Sequence, residues 1–301
     1  MQGKYFIKRT GFINASGNDL IDFINRMSTN DLRKFPENEM RKTVLTTDKG
    51  RIIDLISIFN LNEKKFIQTA FENQDKVTGH LEKFIIMDDV VLEKSDSQYF
   101  HIIISGDVIS LSESLLNIKP EKNKVYLING NNYMYFDDFK LNTLNIICKE
   151  TDLEKYKKML KEMHEQSVEE YEYDRINAGI PEGENEFNDN VNPMECGLDK
   201  YISFNKGCYI GQEVIARLDS QGKLPKRMVR INSEETLHKD DKIYLSDEEK
   251  ETGFVSSSAA YNGDNISLGF IRSVNLGTEK EYYAVHNDNP AEKIKLKISN
   301  I

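Results

Sequence analysis

The sequence predicts an α+β protein that ends in a small β-barrel, and three observations carry that prediction. Strand-like runs follow one another between residues 42 and 148 without regular alternation with helices. Asp48-Lys49-Gly50 joins two of these runs as an antiparallel hairpin turn. Past about Leu224 the texture changes to short apolar runs separated by polar turns.

Taken in order, Leu20, Phe23, Ile24 and Met27 recur at helical spacing, with Asn18 as the expected N-cap. The helical pattern is read as starting almost at once, and no element is assigned before it. Strands are expected over Lys42 to Thr47, Arg51 to Asn60, Phe66 to Ala70, Val90 to Lys94, Tyr99 to Ile104, Lys124 to Asn129, Tyr133 to Phe136 and Thr143 to Cys148. Asn129-Gly130-Asn131-Asn132 reads as a turn. Gln74 to Phe84 and Ile109 to Leu116 read as helices, and Asp152 to Tyr171, rich in Lys, Glu, Met and Leu, as one long helix. The C-terminal strands are Met228 to Ile231, Lys242 to Leu245, Thr252 to Ser257, Ile266 to Ile271, Glu281 to Val285 and Ile294 to Ile298.

Composition narrows the function classes. Among 301 residues, 40 Lys and Arg stand against 50 Asp and Glu, a formal net charge of −10. The basic residues are dispersed, so binding to nucleic acid through phosphate neutralisation is not expected. Three cysteines match neither a disulfide framework nor a paired zinc motif, which places the chain in a reducing cytoplasm. Neither a targeting leader at Met1 to Arg9 nor a membrane span is read. The five histidines form no HxxxH or HExxH pattern, and no intrinsic metal is expected.

Residues 175–217 differ in kind. Lys206-Gly207-Cys208-Tyr209-Ile210-Gly211 reads as a tight turn with two permissive glycines, followed by a helix from about Gly211. Cys208, at or just before that helix N-terminus and beside the Lys206 ammonium, is expected to favour thiolate and to be reactive. The plainer reading is a small residue filling a tight space. Cys148, inside an apolar run, is expected to be buried and inert.

The string Lys206 to Glu213, Lys-Gly-Cys-Tyr-Ile-Gly-Gln-Glu, resembles the signature of the YgfZ group of folate-binding proteins, relatives of the aminomethyltransferase (T-protein) of glycine cleavage. Arg-Ile-x-Ala-Gly-Ile-Pro at 175–181 and Asn-Pro-x-Glu at 192–195 resemble the same family in the same order, as does Leu45 to Asp54 more loosely. The resemblance implies two ferredoxin-like α+β domains around a central folate-binding channel, plus the C-terminal barrel. Residues 1–27 with 96–222 would form the first domain, 28–95 the second and 223–301 the barrel.

It also implies binding of tetrahydrofolate or a one-carbon derivative, and a role in iron–sulfur protein assembly or repair that requires Cys208. Assembly factors or client enzymes are the implied partners. The implied folate-binding residues are Glu195, Arg175, Lys206, Tyr209, Gln212 and Arg217. Glu195 matches a T-protein carboxylate that grips the pterin, a role suited to two parallel acceptor oxygens. Arg175 fits a ligand contact or an ordinary ion pair equally well. Arg217 fits the folate glutamate tail or the end of its own helix. Together with Lys223 and Arg227, these cations would make a local basic patch for an anionic ligand.

Asp54 is the candidate catalytic acid. A T-protein aspartate near this place activates the folate N10 region, but register from the turn puts Leu55 there and Asp54 on the opposite strand face. A folate-dependent aminomethyl or methyl transferase is thus the alternative, and a non-enzymatic adaptor on the same fold the third reading.

Overall fold

The 14-residue strand β1 (Gly3–Ser16) lies where the sequence pattern assigns no element. Lys4, Lys8 and Arg9 interrupt its apolar pattern, yet Tyr5, Phe6, Phe12 and Ile13 are buried along it. Aromatic and β-branched residues suit such a two-sided surface. The computed structural model describes residues 3–62, 64–128, 130–247, 250–277, 280–289 and 291–301. Asn129, expected to end a strand and open a turn, lies outside them. The chain forms two units: Met1–Asp48, Ile52–Gln166 and Tyr201–Gln212 in the first, and Lys49–Arg51, Ser167–Lys200 and Glu213–Ile301 in the second. The expected boundaries at 27/28 and 95/96 fall inside the first unit and that at 222/223 inside the second.

The first unit is a ten-stranded sheet with β1 at its centre. Besides β1 it holds β2 (Glu39–Thr46), β3 (Ile52–Leu61), β4 (Lys64–Ala70), β5 (Val91–Lys94), β6 (Tyr99–Gly106), β7 (Val125–Ile128), β8 (Asn132–Asp137), β9 (Thr143–Lys149) and β10 (His164–Glu165). The order is β2-β3-β4-β1-β6-β9-β8-β7, with β5 and β10 also paired to β1. The first half of β1 pairs with β6, from Gly3↔Gly106 to Thr10↔Tyr99, and the second half with β4, from Thr10↔Ala70 to Ala15↔Lys65. One strand therefore serves two half-sheets.

Each half-sheet carries two helices on the same side. α1 (Leu20–Met27) and α2 (Gln74–Glu82) bury Phe23, Ile24, Val77 and Leu81 in one cluster with Ile56, Ile58 and Ile67. α3 (Val108–Leu116) and α4 (Glu150–Met159) bury Val108, Leu111 and Tyr156 with Ile102, Ile104 and Ile146. The opposite face holds an aromatic core, in which the Phe12 and Tyr99 rings stack at 3.9 Å and Phe59 and Phe66 at 4.3 Å. The alternation of facing along each strand is what separates the two cores.

Two local expectations are corrected. The N-cap of α1 is Asp19, while Asn18 donates its backbone N–H and its amide to Asp89. The expected helix over 152–171 is two helices, α4 and α5 (Val168–Asn177). His164 and Glu165 pair with Lys4 and Tyr5 in β10, and Ser167 with Glu170 forms a capping box that starts α5 afresh.

The second unit also holds α6 (Gly183–Glu186), most of α7 (Gln212–Gln221) and a closed barrel. The barrel strands are β11 (Lys226–Ser233), β12 (Lys242–Leu245), β13 (Glu251–Tyr261), β14 (Asp264–Arg272), β15 (Tyr282–Val285) and β16 (Ile294–Asn300). All six lie where the sequence placed them. Their order is β11-β14-β13-β12-β15-β16, closing around Val229, Ile231, Ile243, Val255 and Ile271. Among the described residues no helix is long and apolar enough to cross a membrane.

Candidate functional site

The segment 206–212 belongs to the first unit and is pinned there on both sides of Cys208. The Lys206 ammonium donates to the carbonyls of Asn25 at 2.5 Å, Ser28 at 2.8 Å and Asn30 at 2.6 Å. Those three bonds use all its donors. Burial pulls its pKa down to about 8, against the field of Asp31. Ile210 donates to the Arg26 carbonyl at 3.1 Å and accepts from the Thr46 hydroxyl at 2.7 Å. Tyr209 is buried, with Lys206 Nζ 5.1 Å from its ring, and its N–H donates to Gln212 Oε1 at 3.3 Å.

Between these anchors Cys208 is exposed, whereas Cys148 and Cys196 are buried. Cys208 lies one turn before α7, and the Lys206 ammonium, expected beside the thiol, is used as a clamp on three backbone carbonyls. Of the two glycines, Gly211 takes the left-handed conformation, with φ of 84°, while Gly207 does not and faces open space. Cys148 is as inert as expected, its thiol pushed up to about 12 by burial.

Asp54 also lies in the first unit, on β3. It shares parity with Ile56 and Ile58, so its side chain faces the helix-covered side, past a bulge that shifts the β2–β3 register between Thr46↔Ile52 and Leu45↔Asp54. Its Oδ2 accepts from the Thr69 hydroxyl and from Ala70 N–H at 3.2 Å, and Oδ1 from Leu55 N–H at 2.9 Å. Burial nevertheless pushes its carboxyl up to about 6.

Glu195, in the second unit, sits at the end of a capping box. Asn192 Oδ1 accepts from Met194 N–H at 3.0 Å and Glu195 N–H at 3.1 Å, while Glu195 Oε2 accepts from Asn192 N–H at 3.0 Å. With Pro193 opening the single 3-10 turn, this accounts for Asn-Pro-x-Glu as a folding motif. The side chain is only 1% exposed, so Glu195 is not a surface acid. Burial raises the carboxyl pKa, opposed by the Asn192 N–H and by Lys226 and Arg51.

Sequence reasoning missed those two cations. Arg51 Nη1 lies 3.9 Å from Glu195 Oε2, and Arg51 and Lys226 both donate to the Asn190 carbonyl, at 3.2 and 2.8 Å. Arg51 lies within the Leu45–Asp54 string, where no local pattern gives it a role, and Lys226 stands in a strand where no motif marks it.

Arg175 takes the ion-pair reading. Nε and Nη2 donate to Glu172 at 2.9 and 2.5 Å, Nη1 to the Ile180 carbonyl at 3.2 Å and Glu186 at 3.3 Å, and Nη2 also to Ser257 at 3.0 Å. All five guanidinium donors are thereby used. Although burial would lower it, the bond to Glu172 and the charge of Glu186 raise its pKa. The neighbouring Gly179 ends α5 at φ of 68°, where an added Cβ would come within 2.9 Å of Ile301. Arg217 is exposed on α7 and has no side-chain partner among the described residues. The expected basic patch thus loses Lys206 and Arg175 to internal bonds and keeps Arg217, Lys223 and Arg227 exposed.

Comparison with known proteins follows these features. Residues 7–117 match the family model of the GCVT N-terminal domain. An aminomethyltransferase of Desulfitobacterium hafniense is 21% identical over 291 residues, covering 89% of this chain and 78% of that protein. A putative chloroplastic transferase of Arabidopsis thaliana is 26% identical, covering 87% and 63%. The tRNA-modifying protein YgfZ of Colwellia psychrerythraea is 23% identical, covering 77% and 73%. The crystal structure of glycine cleavage system aminomethyltransferase T from Bartonella henselae superposes with a TM-score of 0.85 at 12% identity, covering 99% of this chain and 85% of that one.

Proposed function

Because the chain belongs to the GcvT superfamily as a YgfZ-type member, we propose that it binds tetrahydrofolate or a one-carbon derivative through Glu195 and supports assembly or repair of iron–sulfur proteins through Cys208. The observation that carries the folate reading is the Glu195 carboxylate, 1% exposed, fixed in direction by its capping box and set beside Arg51 and Lys226. An ionised carboxylate is acceptor-only, and an aminopterin edge offers two N–H donors that match its oxygens. The capping box orients the group before any ligand arrives. Bound folate would supply a one-carbon carrier; the chain supplies the acceptor that orients it.

Cys208 is the thiol open to a partner, held at a fixed place by the Lys206 and Ile210 anchors. A partner protein would supply the remaining cluster ligands, since one thiol falls short of the usual four. The setting is the reducing cytoplasm. The name of the Colwellia relative raises a tRNA partner, which a net charge of −10 disfavours.

Thermal unfolding with a panel of folates tests the first half. Tetrahydrofolate should raise the Tm of the wild type and leave that of Glu195→Ala unchanged; no shift for the wild type at saturating folate overturns it. For the second half, Cys208→Ala should keep folding and the folate shift but fail to restore iron–sulfur enzyme activity in cells lacking the protein. The transferase reading draws on the aminomethyltransferase relatives, while Asp54 on the helix-covered face weighs against it. Turnover of methylene-tetrahydrofolate with aminomethyl acceptors would favour that reading.

A further inference from the structure

We infer that His238, His286 and Asp288 form a surface site for one Zn2+ ion on the C-terminal barrel. Among the described residues their ligand atoms lie within 4.8 Å of one another. The sequence reading found the histidines scattered, since the three come from two separate connections: His238 precedes β12, and His286 and Asp288 follow β15.

One carboxylate braces the His286 imidazole and the backbone of His238. Asp241 is 1% exposed; its Oδ2 accepts from the His238 backbone N–H at 2.7 Å and lies 2.7 Å from His286 Nδ1. With Nδ1–H donated to that oxygen, the remaining lone pair of His286 is on Nε2. A buried carboxylate behind an imidazole is the outer support typical of metal-bound histidine, fixing both tautomer and ring direction. The two rings stack with centroids 4.6 Å apart, so the second imidazole is already beside the first. Asn287 donates to the Asp240 carbonyl at 3.1 Å, and Asn289 N–H to the His286 carbonyl at 3.2 Å, which ties down the turn that presents Asp288.

Zinc bonds of about 2.0–2.2 Å to nitrogen and oxygen require ligand atoms somewhat closer together than 4.8 Å. His238 and Asp288 are exposed, so their side chains are free to close on the ion while the half-buried, Asp241-braced His286 stays fixed. Two imidazoles and one carboxylate suit zinc among divalent ions. Three protein ligands at the surface leave the fourth position open for water or an outside ligand, as in zinc sites that bind substrates.

The test uses the full chain carrying Cys208→Ser, so that the exposed thiol does not take up metal. Titration calorimetry with ZnCl2 in a non-chelating buffer should give one ion per chain. His238→Ala and Asp288→Asn, both at exposed positions, should each weaken binding at least about tenfold, and Asp241→Asn about 10–100-fold. His80→Ala, on α2, should change nothing. Co2+ in place of Zn2+ should give the visible bands of a four-coordinate site. Absence of saturable uptake, uptake undiminished in His238→Ala, or uptake that requires Cys208 overturns the assignment.

Discussion

The carboxylate of Glu195 closes on the backbone N–H of Asn192 at 3.0 Å while Asn192 Oδ1 receives the N–H of Glu195 at 3.1 Å. The residue proposed to meet the ligand is thus also half of a reciprocal helix cap. Glu195→Gln retains an oxygen for Asn192 and should stay within about 0.5 kcal/mol of the wild type. Glu195→Ala removes the Oε2 half of the capping box, leaves the Asn192 half in place and should cost about 1 kcal/mol. Urea midpoints of both variants check this, and equal losses would show that the cap adds nothing.

Cysteine accessibility should divide sharply. Iodoacetamide added to the native protein should alkylate Cys208 alone, and Cys148 and Cys196 only after denaturant is added, because both are buried. Peptide mass spectrometry reads the sites directly. Cys208→Ala should move stability by no more than about 0.5 kcal/mol, as an exposed side chain without partners.

Arg175 should tolerate no replacement. Arg175→Lys keeps the charge but loses the fork that reaches Glu172, Glu186, Ser257 and the Ile180 carbonyl together. Arg175→Met leaves the fully buried Glu186 without its cation and should cost about 3–5 kcal/mol. Chemical denaturation of the two variants beside the wild type measures both losses.

Asp54 makes stability depend on acid pH. Its folded-state pKa is raised from 3.8 to about 6, so across that window the native state holds more protons than the unfolded chain. Stability should therefore fall as pH rises through the window, by on the order of 3 kcal/mol, and this term should vanish in Asp54→Asn. Denaturant midpoints from pH 4 to pH 7 for both proteins isolate it, and parallel profiles would refute it.

The barrel was legible because each of its strands is a short apolar run between polar turns, and closure hides none of that pattern. β1 was not, because Lys4, Lys8 and Arg9 break its periodicity and its strand character is set by partners distant in sequence. The break between α4 and α5 has the same origin: a Lys- and Glu-rich composition favours helix, while the pairing of His164 with Lys4 is invisible locally. Ser167 followed by Glu170 was a usable local signal for the restart. At the site, Cys208 and Glu195 were singled out through motifs, whereas Arg51 and Lys226 flank Glu195 only through the folded chain. Two of the cations assigned to a ligand, Lys206 and Arg175, use their donors inside the chain, since a buried Lys or Arg must first satisfy its own N–H groups.

The shared strand β1 also governs how the protein is made. Its residues 4 and 5 pair with 164 and 165, and its flank with 99–106, so during synthesis it waits through more than half the chain before both edges are covered. Contacts of such long sequence separation form slowly. A nascent chain of this protein exposes an open, partly aromatic strand edge for most of its translation, and a chaperone that shields that edge would raise its yield more than any surface substitution.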